Sequence, residues 1–116
     1  MYSNFITPPD FTNEDKHTVT VIDATDSEIE LLCRVAQNSI EDYNIYLYKS
    51  EMSNANWLSQ AINLSESIIV NIDIHDNLDI FKNEKTYYYG SKTILSPATK
   101  INSILDYFQM RQIKHK

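Results

Sequence analysis

Asp73, His75 and Asp76 sit close together at the end of the apolar run SIIVNI. Carboxylates and an imidazole at such spacing can move protons. Where several carboxylates converge they can instead hold a divalent cation such as Mg²⁺, which takes oxygen ligands and keeps part of its water shell. A second acidic pair, Asp23 and Asp26, closes the β-branched segment HTVTVI. If the two segments are neighbouring strands pointing the same way, Asp23, Asp26, Asp73, His75 and Asp76 converge at one rim, where like charges raise one another's pKa. The expected metal set is Asp23, Asp26, Asp73 and Asp76, with Mg²⁺ as its cation. The competing reading is strand-end capping, because the short side chains of Asp and Asn bond nearby backbone amides. No catalytic or cofactor-binding residue is assigned, no Ser-His-Asp grouping can be picked out, and the expectation leans away from an enzyme.

These residues need elements to position them. HTVTVID (17–23) alternates Val19, Val21 and Asp23 against Thr18, Thr20 and Ile22, the period of a strand. ATDSEIELLCRVAQNSI (24–40) follows as a helix, with Thr25 and Glu28 at capping-box spacing and Ile29, Leu32, Cys33, Ala36 and Ile40 on one stripe. YNIYLYKS (43–50) is a second strand and NANWLSQAINL (54–64) a second helix. Residues 67–74 make a third strand, apolar nearly throughout, as in a parallel strand covered on both faces. HDNLDIFKNE reads either as a short helical turn or as a loop, and KTYYYG is a fourth strand. SPATKINSILDYFQMRQ closes the series as a helix, with Ser96 as N-cap, Pro97 at its first position and Ile101, Ile104, Leu105 and Phe108 buried.

Strands alternating with crossover helices predict an α/β three-layer sandwich: a mostly parallel four-stranded sheet in the order 2-1-3-4, with helices on both faces. Ligands of such sheets bind beyond the carboxyl ends of the strands, where the strand order reverses. In this order that point lies between strands one and three. The expected organisation is an N-terminal arm (1–16) held in an extended or turn conformation by Pro8 and Pro9, a single α/β domain (17–111) and a basic C-terminal tail (112–116).

Composition narrows the function classes. With 116 residues the chain has one core's worth of sequence, and its 42% hydrophobic and 22% charged content is that of an ordinary soluble domain. A net charge of −6 repels the phosphate backbone, so nucleic acid is not an expected partner. Gly90 is the single glycine, which excludes the Gly-rich loops that wrap phosphates and dinucleotides. No membrane association is expected, since no apolar run approaches spanning length, and MYSNFITPPDF has neither the basic start nor the apolar stretch of a signal peptide. With a single cysteine, Cys33, the expected location is the cytoplasm. The wealth of Ile, Asn, Lys and Tyr is what AT-rich codons produce, consistent with a low-GC bacterium or its phage.

Cys33 falls on the apolar stripe and reads as a small core side chain. His17 and His115 have no partner at metal-ligand spacing. Tyr87, Tyr88 and Tyr89 place amphipathic rings on both faces of the fourth strand, with Tyr43, Tyr46 and Tyr48 on the second. Such a strand at a sheet edge suits contact with another protein or with a second copy of the chain, giving a homodimer. Cross-strand pairing inside the sheet is the alternative.

Two resemblances bear on function. Acids after the first strand, Asp73 ending the third and Lys92 in GSKT look like the pocket of response-regulator receiver domains. That likeness implies Asp73 as phosphoacceptor, Asp23 and Asp26 as Mg²⁺ carboxylates and Lys92 as a phosphate contact. YKSEMSNANWLSQAINLSESIIVNI is similar to a stretch of TIR domains and nucleoside deoxyribosyltransferases, which implies nucleotide or nucleoside binding and a catalytic Glu. Ala61 and Gln60 stand where that Glu is expected after Trp57. The preferred expectation is a non-enzymatic accessory or regulatory module of phage or bacterial origin that binds another protein, with no cofactor.

Overall fold

The structure is a computed structural model that describes residues 5–6, 17–51, 56–75, 83–94 and 97–114. Along them run β1 (Phe5–Ile6), β2 (His17–Ile22), α1 (Asp26–Val35), α2 (Gln37–Ile40), β3 (Tyr43–Tyr48), α3 (Leu58–Leu64), β4 (Ser67–Asn71), β5 (Thr86–Tyr89), β6 (Thr99–Lys100) and α4 (Ile104–Lys114). The strands form one sheet in the order β1-β3-β2-β4-β5-β6, and every pair is parallel. The four expected strands are β2, β3, β4 and β5, in the expected 2-1-3-4 order. β1, from the segment expected to be an arm, pairs Phe5 with Ile45, and β6 pairs Thr99 with Tyr87. Among the described residues no helix is long and apolar enough to cross a membrane.

Strand alternation divides the core. Val19, Val21, Ile45, Ile69 and Tyr89 turn to one face, where Ile29 and Leu32 of α1 and Ile104, Tyr107 and Phe108 of α4 complete a buried cluster. Ile22, Ile68, Val70 and Tyr88 turn to the other, under Leu58 and Ile62 of α3. Three layers result, because a strand buried on both sides must be covered on both. Edge-on ring contacts of Phe108 with Tyr43 (5.0 Å) and of Tyr107 with Tyr87 (4.9 Å) tie α4 to the sheet, and Tyr107 donates its hydroxyl to Ser67 Oγ at 2.7 Å.

Local chemistry sets the element ends. At α1 the capping box forms as its spacing predicts: Glu28 N–H donates to Thr25 Oγ1 at 3.2 Å, and Thr25 N–H donates to Glu28 Oε1 at 2.8 Å. The helix expected over 24–40 is broken at Ala36, whose φ of −115° and ψ of 28° leave helical geometry, and α2 resumes at Gln37. Lys85 Nζ donates to the carbonyls of Ile62 (2.6 Å) and Ser65 (2.8 Å), placing a cation at the negative end of α3. Burial lowers the pKa of that ammonium.

Three boundaries depart from the sequence reading. β4 ends at Asn71 instead of continuing to residue 74, because the amides of Ile74 and His75 turn back onto the Asn71 carbonyl at 3.3 and 3.0 Å. The last helix begins at Ile104, not at Pro97; Ser96 lies outside the described residues, and the cap is built further on. There Asn102 N–H donates to Asp106 Oδ2 at 3.1 Å and Asp106 N–H to Ser103 Oγ at 3.4 Å. Thr99–Lys100, expected in that helix, is strand β6. Trp57 immediately precedes α3 rather than lying within it. The ambiguous HDNLDIFKNE falls mostly outside the described residues.

Ile69, fully buried at the centre of the sheet, and Leu31, 45% exposed on α1, differ in what truncation removes. Ile69→Ala is expected to cost about 2–5 kcal/mol in urea unfolding, and Leu31→Ala no more than about 0.5 kcal/mol. Equal costs would contradict the assignment of these faces.

Candidate functional site

β2, β3 and β4 end at the same rim, and the residues that follow each of them meet there. Asp23, directly after β2, adopts φ +62°, a conformation that non-glycine residues enter at a cost and that Asp tolerates better than most. The twist turns its carboxylate inward, where it is 96% buried and accepts three hydrogen bonds. Ser50, two residues beyond β3, donates its amide to Oδ1 at 2.7 Å and its hydroxyl to Oδ2 at 2.5 Å. His75, four residues beyond β4, holds Nδ1 2.9 Å from Oδ2. Asn71, the last residue of β4, completes the tie by donating Nδ2 to the Asp23 carbonyl at 3.2 Å while accepting from Asp73 N–H at 3.1 Å.

Asp23 and His75 thus meet as the strand order predicts, Ser50 joins them unforeseen, and the geometry of the three differs from a nucleophilic triad. In a triad the carboxylate takes one imidazole nitrogen and the serine faces the other, so that the ring can accept the serine proton. Here Asp23 and Ser50 both approach Nδ1, the latter at 3.1 Å, and the serine proton is directed to the carboxylate. Nε2 is buried without a hydrogen-bond partner among the described residues, and the ring lies edge-on to Tyr48 at 6.3 Å. The arrangement fastens three strand ends together.

The remaining acids turn elsewhere. Asp26, with its side chain 93% exposed, accepts from Lys49 Nζ at 2.7 Å, and this bond raises the Lys49 pKa. Asp73 is exposed and faces the end of β5, where Ser91 donates its amide to Oδ1 and Oδ2 (3.0 and 3.1 Å) and its hydroxyl to Oδ1 (2.9 Å). The Ser91 hydroxyl first, then its amide, hold the Asp73 carboxyl below its usual range, with a lesser contribution from the amide and charge of Lys92. Gly90 makes this approach feasible: at φ +132° a Cβ would come within 2.9 Å of Ile72 Cγ1 and 3.0 Å of Asp73 Cγ. Asp76 lies outside the described residues. Among the described residues no group of three or more His, Cys, Asp or Glu side chains is placed to hold a metal ion.

The tyrosines occupy a different environment from an edge. β6 pairs with β5 on its outer side, so Tyr87–Tyr89 form an inner strand and the edge lies at Thr99–Lys100. Tyr88 and Tyr89 are buried; Tyr87 packs edge-on against Tyr107 at 4.9 Å. Tyr89 donates its hydroxyl to Glu28 Oε1 at 2.9 Å, and burial, reinforced by the Glu28 charge, raises its pKa strongly. Cys33 packs against the α1 cluster, and burial raises its thiol pKa.

Two clefts open beside the rim. One, of about 290 Å³, is walled by Val21, Ala24, Ile29, Leu47 and Tyr48, with Asp26, Glu30 and Lys49 also bordering it. The other, of about 330 Å³, lies over Asp23, Thr25, Ser50, Glu51 and the exposed Ile74, and shares Ala24 and Lys49 with the first. Lys49, Ser50, Asn71 and Ser91 were all missed as site residues; their one sequence signal is position, since each stands at or just past the end of a strand.

These features define a parallel-sheet α/β domain with a hydrogen-bonded carboxyl rim. No protein-family model, no curated protein and no solved structure matches the chain.

Removing the buried acceptor isolates its role. Asp23→Ala leaves the Ser50 donors and His75 without their carboxylate and is expected to cost about 3–5 kcal/mol in denaturant unfolding. Asp23→Asn, which keeps one acceptor oxygen and tolerance of positive φ, should cost about 1–3 kcal/mol. A loss under 1 kcal/mol in the alanine variant would show that the rim does not depend on this residue.

Asp73 carries a pH signature. Because its folded pKa is depressed, its contribution is present above the unfolded carboxyl pKa and is lost as pH falls through the folded value. Asp73→Asn should lower the urea midpoint by a constant amount above about pH 5, with the deficit shrinking below about pH 4. A deficit unchanged down to pH 3 would contradict preferential bonding of the ionised carboxylate by Ser91.

Proposed function

We propose that this chain is a non-enzymatic accessory or regulatory module that binds another protein through the face where α1 meets β3. The observation that carries this reading is the open apolar cleft of about 290 Å³ bounded by Val21, Ala24, Ile29, Leu47 and Tyr48. A concave apolar surface with a few charged groups at its border is the form that takes an anchoring side chain from a partner. The rim chemistry supports the same reading, because the Asp23 carboxylate is engaged by Ser50 and His75 and the Asp73 carboxylate by Ser91.

The reading is tested by affinity capture from cells of the source organism with three forms of the chain. Leu47→Lys places a charge in the cleft, and Leu64→Lys places one on the exposed end of α3. Circular dichroism melts establish that both are folded. A partner retained by the parent chain and by Leu64→Lys should fall about tenfold or more with Leu47→Lys, the loss expected for about 1.4 kcal/mol of anchor energy. Equal retention by all three forms would remove the cleft from the interaction.

A further inference from the structure

We infer that the segment bound by this module presents a basic side chain, Arg or Lys, beside its apolar anchor. The inference rests on the binding reading above and adds the chemistry of the partner. Its starting point is that the two clefts are contiguous: Ala24 and Lys49 border both, and Lys49 is held in place by Asp26. A peptide with its anchor between α1 and β3 would extend over this divide into the second cleft.

The charges along that path are unbalanced. Among the described residues, Asp23, Asp26, Glu30 and Glu51 border the two clefts against one ammonium, that of Lys49. Asp23 is occupied by Ser50 and His75, and Glu30 has Arg34 at 3.6 Å across a largely exposed pair. Asp26 and Glu51 remain open to solvent at the passage between the clefts, on a chain of net charge −6. Such a field draws cations and repels acidic segments, nucleic acid and anionic membranes.

The divide itself can open. The Lys49–Asp26 bond joins a carboxylate that is 93% exposed to an ammonium on a flexible stem, and exposed pairs of this kind are held weakly. An incoming guanidinium or ammonium can replace Lys49 at Asp26 and continue to Glu51. Ile74, 48% exposed at the second cleft, offers an apolar surface on which the methylene stem of Arg or Lys can lie. An acidic residue at that position would meet like charge, and a neutral one would forgo the ionic contact with Asp26 and Glu51.

The test is fluorescence anisotropy on the full chain with three labelled twelve-residue helical probes of one design: leucine anchors with arginines, leucine anchors with glutamates, and serines with arginines. The leucine–arginine probe should bind, weakening about tenfold in the Asp26→Asn/Glu51→Gln double variant and again between 50 and 200 mM salt. The other two probes should bind at least tenfold more weakly. Comparable binding of the glutamate probe, or indifference of the arginine probe to the double variant, would overturn the basic-partner inference while leaving the apolar cleft as the binding surface. Comparable binding of the serine–arginine probe would show charge attraction alone and overturn the anchored segment. If no probe binds, both the inference and the reading beneath it fail.

Discussion

β2 is paired on both edges and covered on both faces, and the positions of the other elements follow from that confinement. Its residues align with Tyr43–Tyr48 on one side and with Ser67–Val70 on the other, and Val19–Ile22 are completely buried. A strand so enclosed cannot slip by one residue without exchanging the side chains it offers to the two helical layers. Its end is therefore fixed, and with it the point at which Asp23 leaves the sheet.

That fixed exit explains the rim. Three parallel strands terminate at one level, so the loops that follow bring together polar groups far apart in the chain. Burial makes unpaired donors and acceptors costly, and the local solution is reciprocal: Asp23 turns through a positive φ to accept from Ser50 and His75, and Asn71 closes the set. At the next pair of strands, on the exposed side of the rim, Asp73 accepts from Ser91, with Gly90 leaving room for the contact. Asp23 and Asp73 thus join strand ends that are distant in the chain, where the expected capping concerned amides near in sequence.

Side-chain role depends here on which neighbour covers a strand. Tyr87 and Tyr89 share one face and Tyr88 the other, as strict alternation requires. Their surroundings depend on β6, a strand of only two residues from a stretch that resembles a helix start. Once β6 pairs outside β5, the tyrosines belong to an inner strand, and the open apolar cleft lies instead between α1 and β3.

Much of this was legible in the sequence. Periodicity of two in HTVTVI, the continuous apolar run SIIVN and the Thr25–Glu28 capping box are local properties, and they were enough to define the strands, the first helix and a parallel order of 2-1-3-4. The convergence of Asp23 and His75 followed from that order. What only the tertiary structure decided is which way each polar group turns and what flanks each strand: Asp26 to Lys49, Asp73 to Ser91, Ser50 to Asp23, and β6 beside the tyrosine strand. Backbone propensity and hydrophobic period act between residues near in the chain, so they can be read from it. Hydrogen bonds between side chains far apart in the chain are settled by which strand ends lie side by side, and that is known only once the sheet has formed.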